Sequence, residues 1–414
     1  MFSCICWNIY DCFKRNNRKK TNLAQFLDIT NMRKVFYLVL SLVIASCTSN
    51  NELQEKLAFI DVTEEYPEKK IELTDIAGVS YLHLNSKTDD YLYKGSIDYV
   101  TENNIIVIDR SQNSVLFFSK EGNPKSHFNR RGQGPEEYSD AASLMYDEAN
   151  DEVFVSPDFS NHIMVYSSLG EFKRKINLPQ VNVNGQMALF DDVSILVYDN
   201  TKLWQSTMQS NAPEVEQTID SVFFLISKLD DISLPNENID LSYKNSVFTS
   251  QVNYGRVRKS ADGLLLYNPE SDTVFHYSKE KHLTPYMHKK PILSSQNPMT
   301  VMDICMDAGK YQFIAVYPYR ETGKSPTPKY YMRNKATGEL FRQKITLSDF
   351  EGKELYINPR LFNYYEHAYH FELDFAELEE AYYKNKLSGK LKELVASLLE
   401  NEESNNVFVF ADFN

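Results

Sequence analysis

The stretch NIIVIDRSQNSVLFFSKEG at residues 104–122 decides the fold, because EVFVSPDFSNHIMVYSSLG at residues 152–170 repeats it. Aligned on their final glycines, Gly122 and Gly170, the two copies lie 48 residues apart. Asn113 then falls on Asn161, Val115 on Ile163 and Phe117 on Val165. Each copy reads as an apolar strand, a polar turn of Asp, Ser and Asn, a second apolar strand and a glycine turn. That is an antiparallel hairpin with a tight turn after it. Weaker copies follow at GLLLYNPESDTVFHYS (263–278), where Asp272 takes the place of Asn113, and at 312–338, where the turn is longer. SILVYDN (194–200) and VFFLISKL (222–229) belong to a more decorated copy, and YLHLN (81–85) and SIDYVTE (96–102) supply earlier strands.

A period of roughly 40–50 residues with about four strands per unit is the mark of a β-propeller. Each such sheet has two apolar faces and buries them by stacking radially against its neighbours. Over residues 71–414 the long middle insertions favour six blades over seven compact ones. A two-sheet sandwich would not produce the equal spacing of the first two copies. The expectation is an all-β, six-bladed β-propeller in one domain over residues 57–414. Near its C-terminus, FAELEEAYYKNKLSGKLKELVASLLE (375–400) has helical spacing, interrupted at Ser388-Gly389. NVFVFADF (406–413) then returns to strand, closing the ring beside an N-terminal strand and removing an exposed edge.

The composition agrees with this. Of 414 residues 42% are hydrophobic and 13% aromatic, which argues for a packed chain and tilts it toward sheet. The net charge of −13 argues against nucleic acid, since a phosphate binder needs a basic face.

The N-terminus reads as an address. Arg33 and Lys34 precede an apolar run over residues 35–45, and Ile44-Ala45-Ser46-Cys47 resembles a bacterial lipobox. Cys47 is the expected lipidation site, and residues 47–56 are a polar tether. Residues 1–46 are then an upstream extension plus signal peptide, with the true start at Met32. Cleavage before Cys47 removes seven basic and two acidic residues, so the net charge moves from −13 to −18. Neither an Asp after the cysteine nor a dense acidic run follows, which points to the periplasmic side of the outer membrane.

The strongest local signal is RRGQGPEEY at residues 130–138, after the first complete hairpin. Here the chain resembles the six-bladed β-propeller lipoproteins of Bacteroidetes, which carry a GxGPxEY motif after the first blade, and its hairpins are similar to NHL-type repeats. Glu136 departs from the family, which more often has Gly there. The resemblance implies the fold and the envelope address, and no assigned activity. Two glycines and a proline shape a tight loop. In a propeller such a link lies near the channel mouth, where Arg130, Arg131, Gln133, Glu137 and Tyr138 would offer donors, a carboxylate and a ring to a ligand. The plainer reading is that Arg131 pairs with Glu137 and the loop serves only the backbone.

Catalytic signatures are missing. No Walker or Rossmann loop, HExxH or GxSxG is present. His367 and His370 point to opposite faces if they lie on a strand, so no metal site is expected. His162 and His276 flank repeat turns and read as surface or inter-blade residues. Cys305, the one cysteine after Cys47, reads as a buried small hydrophobe. Asp109, Asp158, Asp199 and Asp272 recur at hairpin tips, which points to turn chemistry; convergence on calcium is the competing reading. Tyr317-Pro318-Tyr319-Arg320 and Tyr364-Tyr365 would stack on sugars or pack between blades. No cofactor is expected.

Two functions remain. The first is a non-catalytic binding or scaffold module, tethered to the membrane through Cys47, for a peptide, glycan or partner envelope protein. The alternative is a hydrolase or lyase with channel carboxylates and calcium. Fold alone does not choose between them.

Overall fold

Central strands of the repeat are apolar through their middle positions because both of their faces are covered. The computed structural model describes residues 57–413 except 87, 158–159, 179–180, 184–186, 200, 202–216, 220–221, 230–236, 242, 246–255, 261, 268–271, 293–294, 297–299, 304, 319–326, 359–367 and 401–404. Blade 1 consists of strands Ile97–Val100, Asn104–Asp109, Ser114–Ser119 and Pro124–Phe128, in that spatial order. All six residues of the second strand are buried, while the fourth alternates between covered and exposed, as an outer strand must. Blade 2 repeats the plan with Ser143–Asp147, Glu152–Ser156, His162–Tyr166 and Phe172–Asn177.

Blade 3 uses Met187–Leu189, Ser194–Tyr198, Phe223–Ser227 and Glu237–Asn238. Blade 4 uses Arg256–Ser260, Gly263–Tyr267, Thr273–Ser278 and Leu283–Lys290. In blade 5, Thr300–Met302 and Met306–Ala308 together pair with Tyr311–Pro318, followed by Lys329–Asn334 and Leu340–Thr346. A closing sheet joins the two ends of the chain: Ala368–Leu373, Val407–Asp412 and Gly78–His83. Between its first two strands run helix α1 (Phe375–Tyr383) and helix α2 (Gly389–Leu398). The all-β propeller expectation therefore stands, with two short helices where the helical excursion was read.

The blade count is corrected. Five blades of four or more strands are present, not six, and the closing sheet shows three strands among the described residues. The repeat period counts hairpins within the chain. The last hairpin is assembled from opposite termini, so no local pattern announces its size.

Strand alternation sends neighbouring residues to opposite joints. Ile106 and Ile108 pack with Val153, Val155 and Met164 of blade 2, whereas Ile105 and Val107 pack with Phe408 of the closing sheet. Further clusters join blade 2 to 3, 3 to 4, 4 to 5 and 5 to the closing sheet, so the ring is continuous. The N-terminal chain then covers outer edges: Ala58–Asp61 adds in parallel to blade 4 and Glu68–Glu72 in parallel to blade 5.

The two glycines that aligned the repeat have the same tertiary job. Gly122 and Gly170 adopt φ of +81° and +79°. A Cβ on Gly122 would lie 2.2 Å from the carbonyl oxygen of His83, and one on Gly170 would lie 2.4 Å from Cβ of Phe128. Each turn is thus pressed against the outer strand of the sheet before it.

Candidate functional site

The GxGPxEY loop links the outer strand of blade 1 to the first strand of blade 2, and it closes on itself. The Gly132 amide donates to the Tyr138 carbonyl at 3.0 Å and the Tyr138 amide to the Arg130 carbonyl at 3.0 Å. Glu137 does not pair with Arg131: its Oε2 accepts the Gly134 amide at 2.7 Å and lies where a Cβ on Gly132 would stand, 1.8 Å away. That close approach explains the glycine.

Tyr138 is fully buried in the joint between blades 1 and 2. Its hydroxyl donates to the Asn113 carbonyl at 2.8 Å and accepts the Arg130 amide at 3.2 Å. Burial pushes the phenol above its ordinary pKa. Tyr166 stands edge-on to it, with ring centres 5.9 Å apart, and its hydroxyl donates to the Glu136 carbonyl at 2.9 Å. Arg130 Nε donates to the Gly170 carbonyl at 2.7 Å. Of the five motif residues read as ligand contacts, Arg130 and Tyr138 hold the joint and Glu137 braces the loop itself, while Arg131 and Gln133 are exposed.

A cleft of ≈ 780 Å³ opens beside this loop, between the closing sheet and blade 1. One wall is the hairpin tip of blade 1, with Asp109 and Gln112. Asp109 Oδ1 accepts the Ser111 amide at 2.9 Å and its hydroxyl at 2.6 Å, the turn chemistry expected of it. Gln112 also meets the residue before the motif: its carbonyl accepts Asn129 Nδ2 at 2.9 Å. The opposite wall is the start of α1, where Asp374 caps the helix by accepting the Glu377 amide at 3.0 Å. Asn406 ties this wall together, donating to Glu372 Oε1 at 2.7 Å and accepting the Phe375 amide at 3.1 Å. Asn405 latches the floor through the carbonyls of Leu84 at 2.8 Å and Tyr91 at 3.0 Å.

Tyr93, Lys94 and Phe375 complete the lining. The Tyr93 hydroxyl is buried and has no hydrogen-bond partner among the described residues; burial, and then the Glu372 carboxylate, push its pKa well up. The cleft thus presents three carboxylates, one ammonium, three amides and two rings. Among the described residues no group of three or more His, Cys, Asp or Glu could hold a metal ion.

The other candidates disperse. Asp199 accepts the amides of Thr201 and Asn182, and Asp272 pairs with buried Lys289 at 2.8 Å. His162 Nδ1 meets Ser160 Oγ at 3.0 Å, and His276 Nε2 meets Asp262 at 2.9 Å. His370 is buried in the closing sheet between Phe408 and Phe410, and burial pushes it down to about 3. Cys305 is buried, and burial pushes its thiol up. Tyr317 donates to Asn358 Oδ1 at 3.1 Å. Met32, Cys47, Asp158, Trp204, Tyr319, Arg320, Tyr364, Tyr365 and His367 lie outside the described residues. Among the described residues no helix is long and apolar enough to cross a membrane.

Sequence reading missed Tyr93, Glu372, Asp374, Asn405 and Asn406. The Asp-x-x-Glu cap at 374–377 and the Asn doublet before the last strand were the available signals.

Comparison with known proteins agrees with the fold. A Bacteroides fragilis NCTC 9343 protein described as exported shares 16% identity at a TM-score of 0.59, over 86% of this chain and 99% of that one. A member of the DUF4221 family from Bacteroides vulgatus ATCC 8482 shares 12% identity at a TM-score of 0.48, over 82% and 97%. At 16% identity the first of these likenesses speaks for fold alone. No curated protein matches the chain. A family model matches residues 57–412, which is nearly the whole propeller, and the chain belongs to that family, described as Domain of unknown function (DUF4934).

Proposed function

We propose that this protein is a non-catalytic binding module of the cell envelope, held by lipid at Cys47, with its ligand seated in the cleft between the closing sheet and blade 1. On this reading the protein is an outer-membrane lipoprotein facing the periplasm. The observation that carries the proposal is the shared hairpin tip at residues 109–113. It lines the cleft through Asp109 and Gln112 and holds the motif through the Asn113 carbonyl, so one hairpin tip supports both. Arg131 and Gln133, exposed on that loop, extend the surface toward a partner. Carboxylates and amides beside ring faces suit a glycan or a short peptide.

Calorimetric titration with envelope glycan fragments and with short peptides tests this. Glu372→Gln is expected to weaken binding about tenfold, the loss of one charge-assisted hydrogen bond, with the melting temperature nearly unchanged. A panel that shows no binding, or binding indifferent to Glu372→Gln, would sink the proposal. The hydrolase or lyase reading draws on Asp109, Glu372 and Asp374 lining one cleft; chromatographic detection of ligand cleavage would favour it.

A further inference from the structure

In blades 1, 2 and 4 the turn between the third and fourth strands is built the same way, and the described residues after the third strand of blade 3 begin alike. A serine hydroxyl accepts the amide two residues on: Ser119 from Glu121 at 3.2 Å, Ser167 from Leu169 at 3.2 Å, Ser227 from Leu229 at 3.1 Å and Ser278 from Glu280 at 3.2 Å. The four residues so bonded therefore hold equivalent places. Blades 1 and 4 carry glutamate there, as an exposed turn favours. Blades 2 and 3 carry leucine, 66% and 58% exposed. Val193, 61% exposed, joins them from the first turn of blade 3, where its carbonyl accepts the Lys228 amide at 2.9 Å. No packing among the described residues accounts for aliphatic side chains at these tips, and single exposed apolar residues are ordinary whereas a set on adjacent turns is not.

We infer that the face carrying Leu169, Val193 and Leu229 docks on a lipid bilayer, a second contact beyond the acyl anchor at Cys47, on whose reading this one rests. Two observations point to lipid. Cys47 lies eleven residues before Ala58, whose strand forms the outer edge of blade 4, so the acyl group stays within about 40 Å of that edge. The apolar tips belong to blades 3 and 2, the next along the ring from blade 4. They also protrude singly as aliphatic groups, the form that enters an acyl boundary.

The topology gives docking a consequence. In an antiparallel sheet the first and third turns lie at one end of the strands and the second turn at the other. The cleft is lined by the second turn of blade 1, so a bilayer against the apolar tips leaves the cleft facing away from lipid.

The test uses the full lipidated chain in a Trp204→Phe background, reconstituted with phosphatidylethanolamine–phosphatidylglycerol vesicles whose acyl chains are brominated. Leu169→Trp and Leu229→Trp fluorescence is expected to fall by half or more. Tyr383→Trp, at the 69% exposed ring of α1, is expected to hold its signal. Equal quenching at all three sites, or none at any, overturns the docking face while leaving the anchor intact. Unquenched tips in a protein that sediments as a dimer assign the face to a second copy and overturn the lipid assignment. Failure of the chain to co-float with vesicles overturns the anchor and the docking together, and is told apart because flotation needs no tryptophan.

Discussion

The joint between blades 1 and 2 and the joint between the closing sheet and blade 1 start from the same apolar packing and end differently. In the first, the GxGPxEY loop folds over the mouth, drops Tyr138 into the core and satisfies its hydroxyl twice. In the second, a pair of helices replaces a short turn, and the space between them and the blade 1 hairpin stays open and polar. The lesson is that the motif seals a joint, and the opening for a ligand appears at the neighbouring joint, where no such loop exists.

The largest test of this comparison removes residues 406–414. Val407–Asp412 is the middle strand of the closing sheet, paired on both sides. Its loss should abolish cooperative unfolding in a denaturant titration, because buried strands on both sides lose their partners. A truncated chain with an unchanged transition would break the account of ring closure.

Acid should come next, acting on the closing joint first. His370 falls from an ordinary value of 6.5 to about 3 in the folded chain. Between those values the unfolded chain binds more protons, so its stabilising neutral form is intact above about pH 6.5 and the folded state weakens as pH drops toward 3. The slope is up to ~1.4 kcal/mol per pH unit. Urea unfolding at pH 7 and pH 5 should show that loss, and His370→Phe should flatten it; an equal slope in the variant would assign the acid sensitivity elsewhere.

The smallest effect is the sharpest contrast. Tyr138→Phe is expected to cost roughly 1–2 kcal/mol, since it strands the Asn113 carbonyl and the Arg130 amide. Tyr93→Phe should be neutral or stabilising, since its buried hydroxyl has no partner among the described residues. If the two substitutions cost the same, the distinction between a sealed joint and an open one is lost.

How much of this was legible beforehand differs by feature. Gly122 and Gly170 align at a fixed offset, and the hairpins they end are where the repeat placed them. The same offset could not reveal that each glycine lies against the preceding sheet, at His83 and Phe128, because that neighbour comes from another repeat. The motif was visible as a loop with two glycines. Its tyrosine read as a ring offered to a ligand, because nothing local tells whether an aromatic beside a turn points out or in.

By itself the sequence determined the all-β class, the hairpin unit, the helical break at Ser388-Gly389 and the strand that ends the chain. All of these follow from periodicity and turn chemistry, which act over a few residues. The tertiary structure alone decided the number of complete blades, the burial of Tyr138 and the cleft, where Tyr93, Asp109, Glu372 and Asn406 meet from distant parts of the chain. Closing the ring brings those residues together, and closure is a property of how sheets stack, which no single stretch of sequence carries.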